Sequence, residues 1–399
     1  MKSKSLLSLC LTILSYTFCF SQSSNKIPKY EVKAQNFPEQ LTLKSTMDVE
    51  SIDIDNDGDY DLILAVEFFP NRVFINDNGI FKEKHSLPQL KEYIGPAKGE
   101  DSEDIAFADF DRDGDIDLFF VSEDTQNHEL LINNGDGSFS LHKNQIPKSG
   151  NANAVLIYDF NNDNYPDILI GIKGKNEVYI NIKGQYFKNE TEKFWVNNAD
   201  DTQDLILADI DGDGDKDIIE AIERGGNNLY INKKGTFIEE SIKRLPNMSQ
   251  IETRKVISSD IDNDGDIDLF YCNVGWKEGL NPQNILLINN GKGYFTDITN
   301  KALPKDTATT LDAIFIDLNN DKLLDLITTG MADKNNNGFH VFINKTSSNK
   351  IKFERDSTIF PKLKFNIGIS IISKDFNNNG KNGVYIGNFR EKDLFLLKK

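Results

Sequence analysis

Nine-residue acidic segments recur along the chain. The first reads Asp53-Ile54-Asp55-Asn56-Asp57-Gly58-Asp59-Tyr60-Asp61, and its relatives begin at Asp109, Asp159, Asp209, Asp260, Asp317 and Asp375. Carboxylates at positions one, three, five and nine, with a backbone carbonyl at position seven, form an oxygen cage of the kind a hard cation such as calcium prefers. Glycine at position six permits the sharp turn that folds the segment onto itself. Without a cation, five Asp in nine residues would repel one another strongly.

The copies differ in completeness. Four carry the full set: Asp53, Asp55, Asp57, Asp59 and Asp61; Asp109, Asp111, Asp113, Asp115 and Asp117; Asp209, Asp211, Asp213, Asp215 and Asp217; Asp260, Asp262, Asp264, Asp266 and Asp268. The copy at 159–167 offers Asp159, Asn161, Asp163, the carbonyl of Tyr165, and Asp167, with Asn164 at the turn; Asn tolerates a left-handed backbone. The copy at 317–325 offers Asp317, Asn319, Asp321, the carbonyl of Leu323, and Asp325, but places Lys322 at the turn. The copy at 375–383 has Asn379 and Gly383 in ligand positions and is expected to hold no metal. About six bound calcium ions are therefore expected, on the six loops with usable ligand sets.

An EF-hand shares these first positions but needs Glu at position twelve and flanking helices. Position twelve here is Leu64, Phe120, Ile170, Glu220, Tyr271, Thr328 and Ile386; only one is Glu and the flanking runs are β-type, so that motif is excluded. The loops also account for the acidity. Of the 63 Asp and Glu residues, 27 lie in these seven loops, and outside them basic residues slightly outnumber acids. The formal charge of −18 argues against a nucleic-acid surface.

The elements that must hold the loops repeat with them. Loop starts are separated by 56, 50, 50, 51, 57 and 58 residues, the spacing of a repeat architecture. A β-type run precedes each loop, as in Ile105–Ala108, and an apolar run follows it, as in Leu62–Val66. In six copies a third run ends in Ile-Asn, at Asn76, Asn133, Asn181, Asn232, Asn289 and Asn344, and an aromatic then opens a fourth: Phe81, Phe139, Phe187, Phe237, Phe295 and Phe353. Four strands in some fifty residues is a propeller blade. The expected fold is all-β: a seven-bladed β-propeller of four-stranded blades, spanning 22–399 as one domain. The seventh repeat supplies only three strands. Residues 29–38, with Tyr30 eight residues before Pro38 just as Phe353 precedes Pro361, are expected to close it.

Lys2 and Lys4, the apolar run Leu6–Phe20 and Ser21 read as a signal peptide over residues 1–21, so export to the periplasm, the cell surface or the medium is expected. No later run is long enough for a membrane-spanning helix. Removal of the signal would leave Cys272 as the sole cysteine, a buried thiol in an apolar run, with no disulfide available. A monomer is expected.

The segment Asp209–Asp217, followed by Leu229-Tyr230-Ile231-Asn232 and Gly235-Thr236-Phe237, resembles the FG-GAP/VCBS repeat family, of which the integrin α-chain propellers are a distant branch. The resemblance covers nearly the whole chain after residue 21. It implies calcium in the loops and a role in adhesion, in carbohydrate binding or, in some branches, in polysaccharide lysis. The integrin Phe-Gly and Gly-Ala-Pro pairs are missing, which speaks against integrin-type signalling.

Function at the surface is expected on the face opposite the loops. That face gathers Asp48, Asp104, Asp204 and Asp312, each five residues before its loop, with Glu67, Glu123 and Glu223 and the exposed aromatic Trp276. The Asp residues fit two roles there, bracing neighbouring turns or contacting a partner, and Trp276 could stack on a sugar. A non-enzymatic interaction, adhesion or carbohydrate-binding module is the leading expectation, with a protein or glycan partner. A lyase-like enzyme, with His128 or His340 as candidate base, and a passive scaffold for an envelope protein are the alternatives.

Overall fold

The computed structural model describes residues 30–38, 44–84, 87, 101–123, 127–136, 138–142, 148–195, 200–332, 338–347, 350–364 and 366–399. The expected signal segment lies outside the described residues. The first strand of each repeat, in order, is Thr46–Glu50, Ser102–Ala108, Ala152–Tyr158, Asp200–Ala208, Thr253–Ser259, Thr310–Ile316 and Gly368–Lys374. Each pairs antiparallel with the run after its acidic loop, and the third and fourth runs follow in order outward. Five sheets have four strands. A sixth has eight, because repeats 3 and 4 are joined by the pairs Lys173↔Asp201 and Gly174↔Asp200. The described residues therefore form seven four-stranded antiparallel units.

These units close on themselves. Each first strand touches the first strands before and after it, and that of unit 7 touches that of unit 1. The second strand of every unit is an apolar run covered on both faces, as in Leu62–Val66, where all five residues are buried. The apolar side chains separate into seven clusters, one between each successive pair of units. The last of these packs Phe376, Tyr385 and Phe395 of unit 7 against Leu62, Phe74 and Phe81 of unit 1. This is a propeller: each blade buries its faces on its neighbours, and closure leaves no blade with an open face.

The chain's two ends meet in unit 7. Tyr30–Val32 is its fourth strand, paired with Leu394–Lys398 in the register Tyr30↔Lys398. Tyr30 stacks on Phe360 with ring centroids 4.3 Å apart, and Phe37 stacks on Phe81 at 4.4 Å. The segment thus touches blades 6, 7 and 1 within eight residues. Of the span 29–38, residue 29 lies outside the described residues; among the described residues 30–38 regular pairing covers Tyr30–Val32, and Ala34–Asn36 is a 3-10 turn.

Polar ties supplement the apolar packing, and the sequence repeat carries them too. The Asn ending the third strand reaches back to the preceding blade: Asn133 Nδ2 donates to the Ile54 carbonyl, Asn181 to Phe110, Asn289 to Ile210 and Asn76 to Phe376. The residue before the third strand reaches forward. Asn227 Nδ2 donates to Thr253 Oγ1 and Asn284 Nδ2 to Thr310 Oγ1, while Thr46 Oγ1 donates to Asp393 across the closure. Each such bond satisfies a buried polar group and fixes the angle between blades.

Three single-turn helices, Thr191–Phe194, Ser241–Arg244 and Thr299–Ala302, follow the fourth strands of blades 3, 4 and 5. The strand-only reading missed them. Their first hydroxyls each accept a third-strand N–H, from Val178, Leu229 and Leu286 respectively.

Candidate functional site

Each acidic loop is built by its first Asp. Asp53 Oδ1 accepts the N–H of Asp57 and Oδ2 that of Gly58, and Asp109, Asp159, Asp260 and Asp375 accept from the same two offsets. The turn has two left-handed positions, four and six: Asn56 and Gly58 have φ of 60° and 95°, and Asn320 and Lys322 have 61° and 72°. Position six was legible in the sequence. Position four was not read, although Asn or Gly stands there in every copy but Arg112.

The Asp at position nine links strands rather than simply facing the loop. Asp61 Oδ2 accepts the Ile54 N–H at 2.9 Å and Oδ1 the Asn76 N–H at 2.7 Å. The five other loops with Asp at position nine repeat both bonds. Burial pushes Asp61, Asp117, Asp167 and Asp268 up to about 7, although both backbone donors pull the other way. At position seven the Asp59 side chain turns outward to the Asn78 N–H at 2.6 Å.

Three carboxylates offer oxygens within 4.8 Å of one another in each of the four complete loops: Asp53, Asp55 and Asp57; Asp109, Asp111 and Asp117; Asp209, Asp211 and Asp217; Asp260, Asp262 and Asp268. Asp211 Oδ1 and Asp262 Oδ1 are buried without a hydrogen-bond partner. Buried oxygens without donors, in a converging carboxylate set, suit a divalent cation. Loop 209–217 also holds internal cations: Lys233 Nζ lies 2.9 Å from Asp211 Oδ2 and 3.6 Å from Asp213 Oδ2, and an Arg244 nitrogen lies 3.6 Å from Asp211.

The opposite end of the ring is different. Each first strand carries a bulge just upstream of its loop, between Thr46 and Asp48 in blade 1 and at the equivalent place in all seven. The residue after the bulge forms a ring about the axis: Asp48, Asp104, Ala154, Asp204, Lys255, Asp312 and Ser370. The carboxylates brace the next blade. Asp104, Asp204 and Asp312 accept the N–H of Val155, Val256 and Ile371, each at 2.8 Å. Lys255 sits 3.3 Å from Asp204. Four Asp surround it, which the sequence reading missed although Lys255 also stands five residues before its loop. Burial, then the Asp48 charge, pushes nearby Glu50 up to about 8.

A cavity of about 380 Å³ opens above this ring. Its lining draws on the first strand of every blade through Met47, Glu103, Asn153, Gln203, Arg254, Leu311 and Ile369, so it lies on the axis. The lining is two-sided. Blades 2 to 5 present Glu103, Asn153, Gln203 and Arg254, while blades 6, 7 and 1 present Leu311, Ile369 and Met47. Trp276, Met331, Ile367 and Phe389 also line it. Trp276 is 49% exposed, with the Arg254 guanidinium 4.8 Å from its ring centroid.

Of the residues grouped on this face from sequence, Asp48, Asp104, Asp312 and Trp276 line the cavity, and Asp204, Glu67, Glu123 and Glu223 do not. Glu67 accepts from Ser45 Oγ at 2.7 Å, Glu223 pairs with Arg224, and Glu123 joins Asp101 and Glu103 in a carboxylate cluster. His128 and His340 also lie outside the lining. His128 is buried, its Nδ1 accepting the Ser122 N–H at 3.1 Å and its Nε2 2.9 Å from Ser149 Oγ. It occupies the place that Asn71, Asn176, Asn227 and Asn284 hold in other blades, before the third strand. His340 is buried against Asp306 at 3.0 Å. Both candidate bases are thus packed into the fold, away from the cavity.

The profile of the FG-GAP-like repeat matches residues 53–120, 109–170, 159–220 and 260–328, more than half of the chain. No curated protein matches significantly. Among solved structures, a lectin of Agrocybe aegerita that recognises non-reducing terminal N-acetylglucosamine is 18% identical over 87% of each chain, with a TM-score of 0.49. The extracellular domain of the hybrid two component system BT4673 from B. thetaiotaomicron is 10% identical, with a TM-score of 0.54 over 92% of this chain and 39% of that one. BBS1N, solved in complex with ARL6DN, is 11% identical, with a TM-score of 0.52 over 89% of this chain and 92% of that one. For the latter two, at these identities, the likeness is one of fold.

Proposed function

The chain belongs to the FG-GAP-like repeat family, and from that premise we propose that it is an exported, calcium-binding interaction protein that takes its partner at the axial mouth opposite the acidic loops. The observation that carries this reading is the cavity lined by all seven first strands. A concave site with an apolar side, a few polar groups and an exposed aromatic at its edge is the usual form of a binding site. The loops serve the fold in this reading. Calcium on the four complete loops, and on those at 159–167 and 317–325, neutralises carboxylates that the turns bring together.

A pull-down with calcium, against glycans and envelope proteins, tests the reading. The wild-type chain retains a partner; Leu311→Lys with Trp276→Ala, at the mouth, loses it while melting at the wild-type temperature. Equal capture by both proteins would place the binding face elsewhere. Consumption of the captured partner would support the enzymatic alternative instead.

A further inference from the structure

The axial cavity has a charged floor that the chain's own side chains leave incomplete. Asp48 is 6% exposed and lines the cavity, and its Oδ2 has no hydrogen-bond partner. Its Oδ1 accepts only from Ser370 Oγ, at 3.2 Å. Asp104 and Asp312 stand in the same ring. Lys255 also lines the floor and is committed to Asp204 at 3.3 Å; among the described residues no Lys or Arg nitrogen lies within 4 Å of Asp48, Asp104 or Asp312. Three carboxylates and the Lys255 ammonium thus share the floor; Asp104 and Asp312 are met by backbone N–H groups, and of the three only Asp48 keeps an oxygen without a donor. A buried carboxylate oxygen with no donor is costly, and a charged donor satisfies it best.

The wall beside that floor is apolar. Met47, Leu311 and Ile369 each precede a ring residue, in three successive blades around the closure, and Ile367 and Met331 extend the surface outward. A ligand that fits both parts has an apolar stem and a cationic head. A neutral sugar would leave the Asp48 oxygen with a weaker donor and place hydroxyls against the aliphatic wall. Nor is Trp276 a free stacking platform, since Arg254 covers one side of its ring.

We infer that the cavity receives a Lys or Arg side chain of a partner protein, its aliphatic stem along Leu311 and Ile369 and its cationic head on Asp48. This rests on the mouth being the binding face and adds the chemistry of what enters it.

Hexylammonium, with hexanol and hexanoate as controls, tests the assignment on the calcium-loaded wild-type chain. Trp276 emission reports entry, because the other tryptophan, Trp195, is buried. Hexylammonium is expected to bind about tenfold more tightly than hexanol, the ratio a charge-assisted bond in place of a neutral one supplies. Hexanoate is expected not to bind. Asp48→Asn brings the ammonium down to the affinity of hexanol and leaves hexanol unchanged. Should that variant fail to fold, the wild-type comparison decides alone. A protein partner captured at the mouth should be displaced by hexylammonium and not by equal hexanol. Equal binding of amine and alcohol, or a glycan as the captured partner, overturns the charged-head assignment and leaves the mouth as binding face. No response of Trp276 to any probe, with no displacement, removes both.

Discussion

At the residue scale, repetition separates bracing groups from groups with chemistry to offer. His128 looks like a catalytic candidate when single residues are scanned, but the repeat shows it to be the counterpart of four asparagines. Burial pushes its imidazole down to about 4 from an ordinary value near 6.5. The folded state therefore binds fewer protons than the unfolded state between those values, and stability falls as pH drops from 6.5 towards 4. The contribution is about 3 kcal/mol. His128→Asn should keep the wild-type melting temperature at pH 7.5 and flatten its decline between pH 6.5 and 4; an unaltered decline would deny His128 that role. Lys233 supplies a second case. Its ammonium competes with any cation for Asp211 and Asp213, so Lys233→Ala should strengthen calcium binding at that loop about two- to fivefold, as suits a half-exposed pair. Isothermal titration of the variant would show it; weaker binding would mean Lys233 supports the loop. The acidic positions were plain in the sequence because their spacing is fixed. The partnering of Lys233 was not, since it lies sixteen residues beyond the loop and reaches it only through the turn of the outer strands.

At the scale of elements, the sequence reading recovered strand order and closure and missed what ties blade to blade. Alternating apolar runs and the missing fourth strand of repeat 7 are local signals, and Tyr30–Val32 lies where they place it. The Asn76, Asn133, Asn181 and Asn289 ties were visible as a pattern but not as a function, because their acceptors lie one blade away. Asp48, Asp104, Asp204 and Asp312 posed the same difficulty. Their spacing was legible, while the bulge that turns them towards the axis, and turns Asp104, Asp204 and Asp312 towards the next blade's N–H, was not. Phe37 tests the closure. It packs against Phe74, Phe81, Tyr385 and Phe395 across the seam between blades 7 and 1. Phe37→Ala should destabilise by about 3–5 kcal/mol, the cost of emptying such a site. Denaturant unfolding would measure this, and a loss below about 1 kcal/mol would show the seam to be held without the terminal segment.

At the scale of the whole molecule, the ring has two ends with different work. One end collects carboxylates into turns whose geometry needs charge neutralised; the other gathers first-strand residues from every blade around a cavity. In the proposed function calcium binds the folded loops and not the dispersed chain, so excess chelator should lower the melting temperature. Each site held at a hundred times its dissociation constant contributes about 2.7 kcal/mol. An identical melting curve in chelator would remove calcium from the account. The division of labour is tested most directly by one binding isotherm: the partner captured from the pull-down, titrated at saturating calcium onto the wild-type chain, a loop variant, Asp262→Ala, and a mouth variant, Leu311→Lys. The mouth variant is expected to lose at least tenfold in affinity at an unchanged melting temperature, while the loop variant melts lower but, while folded, binds as the wild type does. Loss of affinity in the folded loop variant with full affinity in the mouth variant would contradict that division.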